Sequence, residues 1–324
     1  MPTVTTAASV SSPADSLAPV DIPQANGKKR GRIKTGWILL KHSVAVLRGN
    51  PLLLRYLGMT YAWIMLTTVI FIGIYFVIAA VLPRSADSSD SSATYIGYVI
   101  VFLSYLITYF IINFYAAALA ANMLDIFRGQ KREYDYYVGV ARTKVGPIFV
   151  FSLISASVGM FLQYVAERFR VVGWIIAYFL STAWSLGTMF VLPIIVEEEV
   201  GAPKAIGQSF RFFKKTWGES ITAKITVNFP LGLIQFGLLI PFGLGLYGAI
   251  STQLVPLIIL VLVLYVLSTI ALSIVGSFAN SLINTALYYY AAHQQIPAAF
   301  SAEMLNSVFI PKTKKRGILG RSTA

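Results

Sequence analysis

The chain has 324 residues, of which 56% are hydrophobic and 12% are charged, whereas an ordinary soluble domain carries about 25% charged residues. This composition excludes a conventional soluble domain and favours a protein that lies in lipid. The net charge is +13, but the basic residues fall at the edges of apolar runs, so we expect no nucleic-acid partner. Cysteine is absent, which excludes disulfides and thiolate metal sites.

The first 35 residues predict a disordered tail that ends in a basic cluster. Ser, Thr, Ala, Val and Pro dominate the tail, and such a composition cannot bury a core. Cations beside a membrane span attract anionic lipid headgroups by about 1 kcal/mol each. We favour a topology signal for this cluster and keep lipid contact as the alternative. The cluster consists of Lys28, Lys29, Arg30, Arg32 and Lys34.

Six apolar runs follow, and none contains Asp, Glu, Lys, Arg or His. A membrane-spanning helix needs about 20 apolar residues, and each run comes close to that length or exceeds it. Gly276 could mark a kink in the last and longest run. The predicted spans are Leu57–Leu82, Tyr95–Leu124, Pro147–Val165, Val172–Val196, Ile225–Ile250 and Pro256–Tyr290.

The distribution of Lys and Arg predicts the orientation of the spans. With the amino terminus in the cytoplasm, 23 basic residues fall on the inner side and 3 on the outer side. The positive-inside rule converts this asymmetry into an orientation. We therefore expect a multi-pass protein of the cytoplasmic membrane with both termini in the cytoplasm.

Each inner segment contains an amphipathic stretch, and each stretch precedes a pair of spans. Such helices typically lie in the headgroup plane, so Lys204, Arg211 and Lys215 are further candidates for lipid contact. The pattern predicts three copies of one unit, in which Ser43 aligns with Ser209. The fold class is therefore all-α, a bundle of about six spans with three cytoplasmic-side interfacial helices. The stretches are Trp37–Leu47, Tyr134–Val145 and Pro203–Trp217. The membrane domain covers residues 36–296, and residues 297–324 form a basic tail.

Five segments between Thr35 and Ala292 carry a family resemblance: Trp37–Ser43, Val46–Leu52, Ala205–Arg211, Lys215–Glu219 and Tyr288–Ala291. They resemble a prokaryotic family of six-span membrane proteins of unknown function. The layout is also similar to the membrane domains of some glycerophosphodiester phosphodiesterases. The phosphodiesterase domain itself is not found in this sequence, and the resemblance implies an architecture without an established activity.

Asparagines within the spans are the main candidates for a polar site. A primary amide is costly against lipid, so these side chains must face protein or water. We favour hydrogen bonds between helices, which contribute about 0.6 kcal/mol on average. The alternative is a polar cavity open to the cytoplasm between the second, fifth and sixth spans. The candidate cluster is Asn113, Asn228, Asn280 and Asn284, with Asn122 and Gln235 as further buried amides.

The acidic run Glu197–Glu199 lies where the fourth span reaches the cytoplasm. Consecutive helical side chains point about 100° apart, so a solvated exit from the membrane is favoured over a metal site. His42 and His293 are the two histidines, and we expect solvated rings at the interface. A metal held by these histidines with Glu197 or Glu199 is the alternative.

No span carries an ionisable group of the kind that general acid–base catalysis uses. We therefore expect no enzyme, no catalytic residue and no cofactor. Two functions remain. The favoured one is a membrane component that organises anionic lipids or a membrane or cytoplasmic protein partner at the cytoplasmic face. The alternative is a carrier or channel for a neutral or amphipathic solute or lipid.

Overall fold

A computed structural model describes residues 32–81, 91–215, 217–293 and 295. Within these ranges the chain is helical and contains no strand, which confirms the all-α prediction. The helices are α1 (Arg32–Gly49), α2 (Leu52–Val81), α3 (Ser91–Phe127), α4 (Tyr134–Thr143), α5 (Val145–Arg168), α6 (Arg170–Gly187), α7 (Val191–Glu197), α8 (Ala202–Lys215), α9 (Trp217–Ser251) and α10 (Val255–His293).

Among the residues that the structure describes, six segments are long and apolar enough to cross a membrane, as predicted. They are Leu52–Ile78, Tyr95–Phe127, Val145–Arg168, Val172–Glu197, Asn228–Ser251 and Val255–His293.

The first two helices begin earlier than the sequence pattern indicated. Helix α1 includes residues 32–35, which the sequence assigned to the tail; no Pro or Gly interrupts the stretch between Gly31 and Gly36. Helix α2 starts at Leu52 and contains Arg55 in its first turn. The Arg55 guanidinium lies 4.2 Å from the centre of the Tyr134 ring, a cation–π contact that accommodates the charge at the end of a span.

The fourth span is two helices rather than the single run that the sequence predicted. Helix α6 ends at Gly187 and α7 begins at Val191. The hydroxyl of Ser209 fills the break, since it donates to Gly187 O at 2.6 Å and accepts from Phe190 N at 3.2 Å. A long-range side chain thus satisfies backbone groups that the helix leaves open.

The last span is one helix of 39 residues. At 1.5 Å per residue it is about 58 Å long, well beyond the hydrocarbon thickness of about 30 Å. Gly276 lies inside this helix, where a Cβ atom would stand 3.1 Å from Leu231 Cδ1. Gly276 therefore allows α9 and α10 to approach closely. Helix α9 likewise continues through Pro230 and Pro241.

The element order repeats three times, as a short helix followed by a pair of spans. Each short helix packs on the pair of another unit. Helix α4 packs on α3 of the first pair, α8 packs on α5, α6 and α7 of the second pair, and α1 packs on α9 and α10 of the last pair. The contact of α1 with the last pair closes the three units into a ring. Ser43 and Ser209, which the sequence aligned, are both buried on their short helices.

The apolar faces of the short helices lie largely against neighbouring helices. Tyr134, Tyr137, Val138 and Ala141 of α4 are buried, as their spacing predicted, whereas Val145 is exposed. Protein contacts thus cover much of the surface that the sequence assigned to headgroups. The location of the three helices at a membrane surface stays a prediction.

The core lies at the end of the bundle that carries the short helices. Tyr56, Met123, Tyr137, Ile194 and Tyr288 are almost fully buried there. Towards the other end, large apolar side chains cover the outer surfaces of the spans, as expected for helices that face lipid. Examples are Phe76, Tyr98, Phe179, Phe236 and Val266.

Candidate intramembrane site

A cavity of about 630 Å³ lies among the spans. Helices α2, α3, α5, α6, α7 and α10 contribute its lining, together with the break between α6 and α7. Sixteen of the 26 lining residues carry an amide, hydroxyl or indole N–H group. No Asp, Glu, Lys, Arg or His belongs to this lining. The cavity is therefore uncharged and carries many polar groups on a lining whose surface is mostly apolar. Its volume falls in the range of about 300–1,000 Å³ typical of small-molecule sites.

Three of the four candidate asparagines line the cavity, and the fourth, Asn228, lies outside the lining and contacts Asn280. Asn113 donates through Nδ2 to Ser152 Oγ at 3.0 Å. Asn280 donates through Nδ2 to Asn228 Oδ1 and to Gly276 O, both at 2.9 Å. Asn284 completes the lining.

The two other amides of the spans form interhelical contacts and do not themselves line the cavity, although Tyr56, the partner of Asn122, does. Asn122 donates to the Tyr56 hydroxyl at 3.1 Å, and Gln235 contacts the hydroxyl of Thr269 at 3.5 Å. Asn113 and Asn280 line the cavity and also bond between helices, so both interpretations of the amides apply to these two side chains.

The cavity lies among different spans from those that the sequence indicated. We expected the second, fifth and sixth spans to enclose it, but the first, second, third, fourth and sixth do so. The fifth span, α9, packs on α10 and reaches the site only through Asn228 and Asn280. The amide pattern marks a polar region without showing which helices are neighbours.

Several lining residues have signals that the sequence did not resolve. Ser277 and Ser281 have the four-residue spacing of a small-residue stripe that permits helix packing, and both line the cavity. Ser181 and Ser185 form a similar pair four residues apart on α6. Paired small hydroxyl residues on two spans could therefore have indicated a shared polar space.

A second polar cluster lies beyond the cavity, at the end of the bundle that carries the short helices. Glu197 pairs with Arg128, which directly follows α3, and with His293 of α10, whose Nε2 lies 3.2 Å from Glu197 Oε1. Nη1 of Arg128 also lies 3.9 Å from Oδ1 of Asp125. The expectation of a solvated acidic run was therefore wrong for Glu197, whose side chain is only 14% exposed.

The three glutamates have different hydrogen-bond partners, but not for the helical reason expected, because α7 ends at Glu197 and Glu199 has a φ of 55°. Glu198 accepts from Gln208 Nε2 at 2.6 Å and lies 3.3 Å from the Tyr288 hydroxyl. Glu199 pairs with Lys144 at 2.7 Å, and the hydrogen bond and positive charge of Lys144 lower the pKa of the Glu199 carboxyl. In the part of the chain that the structure describes, no group of three or more His, Cys, Asp or Glu side chains is placed to hold a metal ion.

The basic candidates for lipid contact are only partly within the described residues. Lys204 and Arg211 are exposed on α8. Arg32 and Lys34 belong to α1, and Lys215 is the last residue of α8. Lys28, Lys29 and Arg30 lie outside the described residues.

The six spans and the uncharged cavity define the class of the protein: a multi-pass membrane protein with a helical bundle. The chain belongs to the family of unknown function DUF6159, whose model matches residues 95–297. The match covers five of the six spans and the helices α4 and α8. No curated protein matches the chain, and no solved structure matches it.

Proposed function

We propose that this protein is a non-enzymatic membrane protein that binds an uncharged amphipathic molecule in its intramembrane cavity and carries it within or across the bilayer. The observation that supports this function is the cavity lining, which combines amides and hydroxyls with no charged side chain. Such a lining binds a neutral polar group, whereas an ion would lose hydration without gaining a counter-charge.

The proposal is non-enzymatic because the cavity offers no efficient acid or base near neutral pH. Its titratable side chains are tyrosines, whose pKa values lie near 10 in peptides, far from the range in which proton transfer is efficient at neutral pH. No cofactor belongs to the proposal.

The proposed orientation has both termini in the cytoplasm of a prokaryotic cell. It rests on the 23 basic residues at one side against 3 at the other. The similarity to the membrane domains of glycerophosphodiester phosphodiesterases belongs to the same proposal, as a likeness of layout that lends no activity.

A second candidate function is the organisation of anionic lipids or of a membrane or cytoplasmic protein partner at the cytoplasmic face. The exposed Lys204 and Arg211 on α8 favour it. Helix α8 is tied to the fourth span through Ser209, so these cations have a fixed position relative to the bundle. Each would contribute about 1 kcal/mol of attraction to an anionic surface.

Reconstitution of the full chain in liposomes separates the two functions. A carrier accelerates the exchange of fluorescently labelled neutral lipids or the flux of neutral solutes, and Asn280→Leu slows that exchange. A scaffold leaves exchange and flux at the rate of empty liposomes. Loss of binding to anionic liposomes in Lys204→Ala/Arg211→Ala, with exchange absent from the native protein, would support the second function instead.

A further inference from the structure

We propose that the ligand of the cavity is a neutral lipid whose headgroup carries hydroxyls, and that it reaches the cavity from the bilayer between α6 and α10. This inference rests on the proposed function and names its ligand class. Three features carry it: the direction of the hydrogen bonds in the lining, the absence of charge there, and the gap between two of the walls.

Three threonines of the lining use their hydroxyl protons within the protein and keep oxygens that can accept, whereas the Tyr56 hydroxyl accepts from Asn122 and can itself donate. The hydroxyls of Thr60, Thr188 and Thr285 donate to the backbone carbonyls of Tyr56, Trp184 and Ser281 at 2.7, 2.7 and 2.9 Å. Each threonine oxygen retains the ability to accept a hydrogen bond. The threonines of the cavity therefore favour a ligand that donates.

The asparagines of the lining likewise use donors within the protein and keep oxygen atoms that can accept. Asn113 and Asn280 spend amide N–H groups on Ser152, Asn228 and Gly276. Asn284 Oδ1 has no hydrogen-bond partner among the described residues. Amide oxygens accept up to two hydrogen bonds, so hydroxyl groups of a ligand complement these side chains.

The absence of charged side chains from the lining favours hydroxyls over charged groups as the donors of a ligand. An ammonium group also donates, but no carboxylate lines the cavity to balance its charge. A phosphate needs Lys, Arg or backbone donors. The lining contains no Lys and no Arg. A neutral headgroup with two or more hydroxyls fits both the direction of the hydrogen bonds and the charge.

The walls of the cavity leave a route from the bilayer. Helix α6 packs on α5 and α8, and α10 packs on α9, α3 and α1, but α6 and α10 do not pack side by side. Ser181 of α6 and Ser277 of α10 line the cavity and are exposed on the surface of the bundle. Exposed Trp174 and Tyr178 lie seven and three residues before Ser181, on the same face of α6, which suits the acyl chain of a lipid whose headgroup lies inside.

Native mass spectrometry of the full chain with three oleoyl probes tests the ligand class. The protein is released from a detergent without sugar groups and mixed with equal amounts of 1-monooleoylglycerol, methyl oleate and oleate. These probes share one chain and differ in the headgroup, which has two hydroxyls, no donor or a negative charge. We expect the monooleoylglycerol adduct to exceed each of the others at least about fivefold, because each hydrogen bond contributes about a factor of five.

Two matched amide variants assign the binding to the cavity. Asn284→Leu removes an amide that lines the cavity, and we expect about fivefold less monooleoylglycerol adduct. Gln235→Leu removes an amide of the spans that lies outside the lining, and we expect an unchanged adduct. Asn284 Oδ1 makes no hydrogen bond among the described residues, so Asn284→Leu breaks no bond of that oxygen and is expected to fold.

Equal adducts for methyl oleate and monooleoylglycerol, or a dominant oleate adduct, would overturn the proposed headgroup. Equal losses in the two variants would overturn the site. Displacement of monooleoylglycerol by glucose, a polyol without an acyl chain, would overturn the bilayer route and leave the proposed binding function intact. If neither the probes nor glucose bound, the proposed function itself would fall.

Discussion

Asn280 donates an amide hydrogen bond of 2.9 Å to Asn228 Oδ1 and thereby joins α10 to α9. Asn280 also lines the cavity, whereas Asn228 does not. The fifth span therefore holds a cavity residue in position without contributing to the lining. Substitutions at the two positions should differ in their effect on ligand binding and resemble each other in their effect on stability.

Asn228→Leu should lower the free energy of unfolding by about 0.6 kcal/mol, and by no more than about 2 kcal/mol, as is usual for interhelical hydrogen bonds in membranes. Reversible unfolding in mixed micelles measures this loss. The double variant Asn228→Leu/Asn280→Leu should lose less than the sum of the single variants, because both remove the same bond. Strict additivity would show that the pair does not stabilise the packing of α9 on α10.

Ser209→Ala should destabilise the protein by about 1–3 kcal/mol, since it leaves the Phe190 N–H buried without a partner. The same unfolding experiment measures the effect. Ser157→Ala is the control: Ser157 is exposed and its hydroxyl bonds only to Leu153 O of its own helix. An equal, small effect of both substitutions would contradict the role of Ser209 at the break between α6 and α7.

The Lys144–Glu199 pair predicts a dependence of stability on pH. Lys144 lowers the pKa of Glu199 below its ordinary value of 4.5, so the pair stabilises the fold above that pH. The stabilisation is lost as the pH falls through the lowered pKa of the folded state. The thermal midpoints of the native protein and of Glu199→Gln should converge as the pH is reduced below about 4. If the difference between the two thermal midpoints persisted or grew at acid pH, the predicted direction of the pH dependence would be contradicted.

The orientation can be tested with single cysteines, because the native chain has none. Ser209, although it lies in an inner segment, is buried and would label poorly on either side. Lys204→Cys and Thr252→Cys replace exposed residues at opposite ends of the bundle. A membrane-impermeant maleimide should label Thr252→Cys in intact cells and Lys204→Cys only after permeabilisation. The reverse pattern would invert the proposed topology.

The spans were predictable because lipid imposes a length and a composition on each segment separately. The first span and the break in the fourth span were not predictable from the length and composition of a single segment. Arg55 belongs to a spanning helix because Tyr134, from another unit, covers its guanidinium. The break at residues 188–190 persists because Ser209 satisfies the backbone. Both depend on contacts between distant parts of the chain.

The candidate site was predictable in its chemistry and not in its location. Amides in apolar runs must find partners, which indicated Asn113, Asn280 and Asn284. The ring formed by the three units, however, places α9 behind α10, and no local pattern encodes that order. The same limit explains why the partners of Glu197 were not predicted, because Arg128 follows α3 and His293 ends α10, both far from Glu197 in the sequence.

The most direct test of the intramembrane cavity is the reactivity of two single cysteines on α10 in native membranes. Ser281 lines the cavity, and Ser273, two turns away on the same helix, is exposed outside it. A small water-soluble methanethiosulfonate reagent reacts with thiolates, which form in a polar space and not against lipid. The account predicts that Ser281→Cys reacts at least about tenfold faster than Ser273→Cys and slows when a neutral hydroxylated lipid is added. Equal rates, or an inert Ser281→Cys, would contradict it.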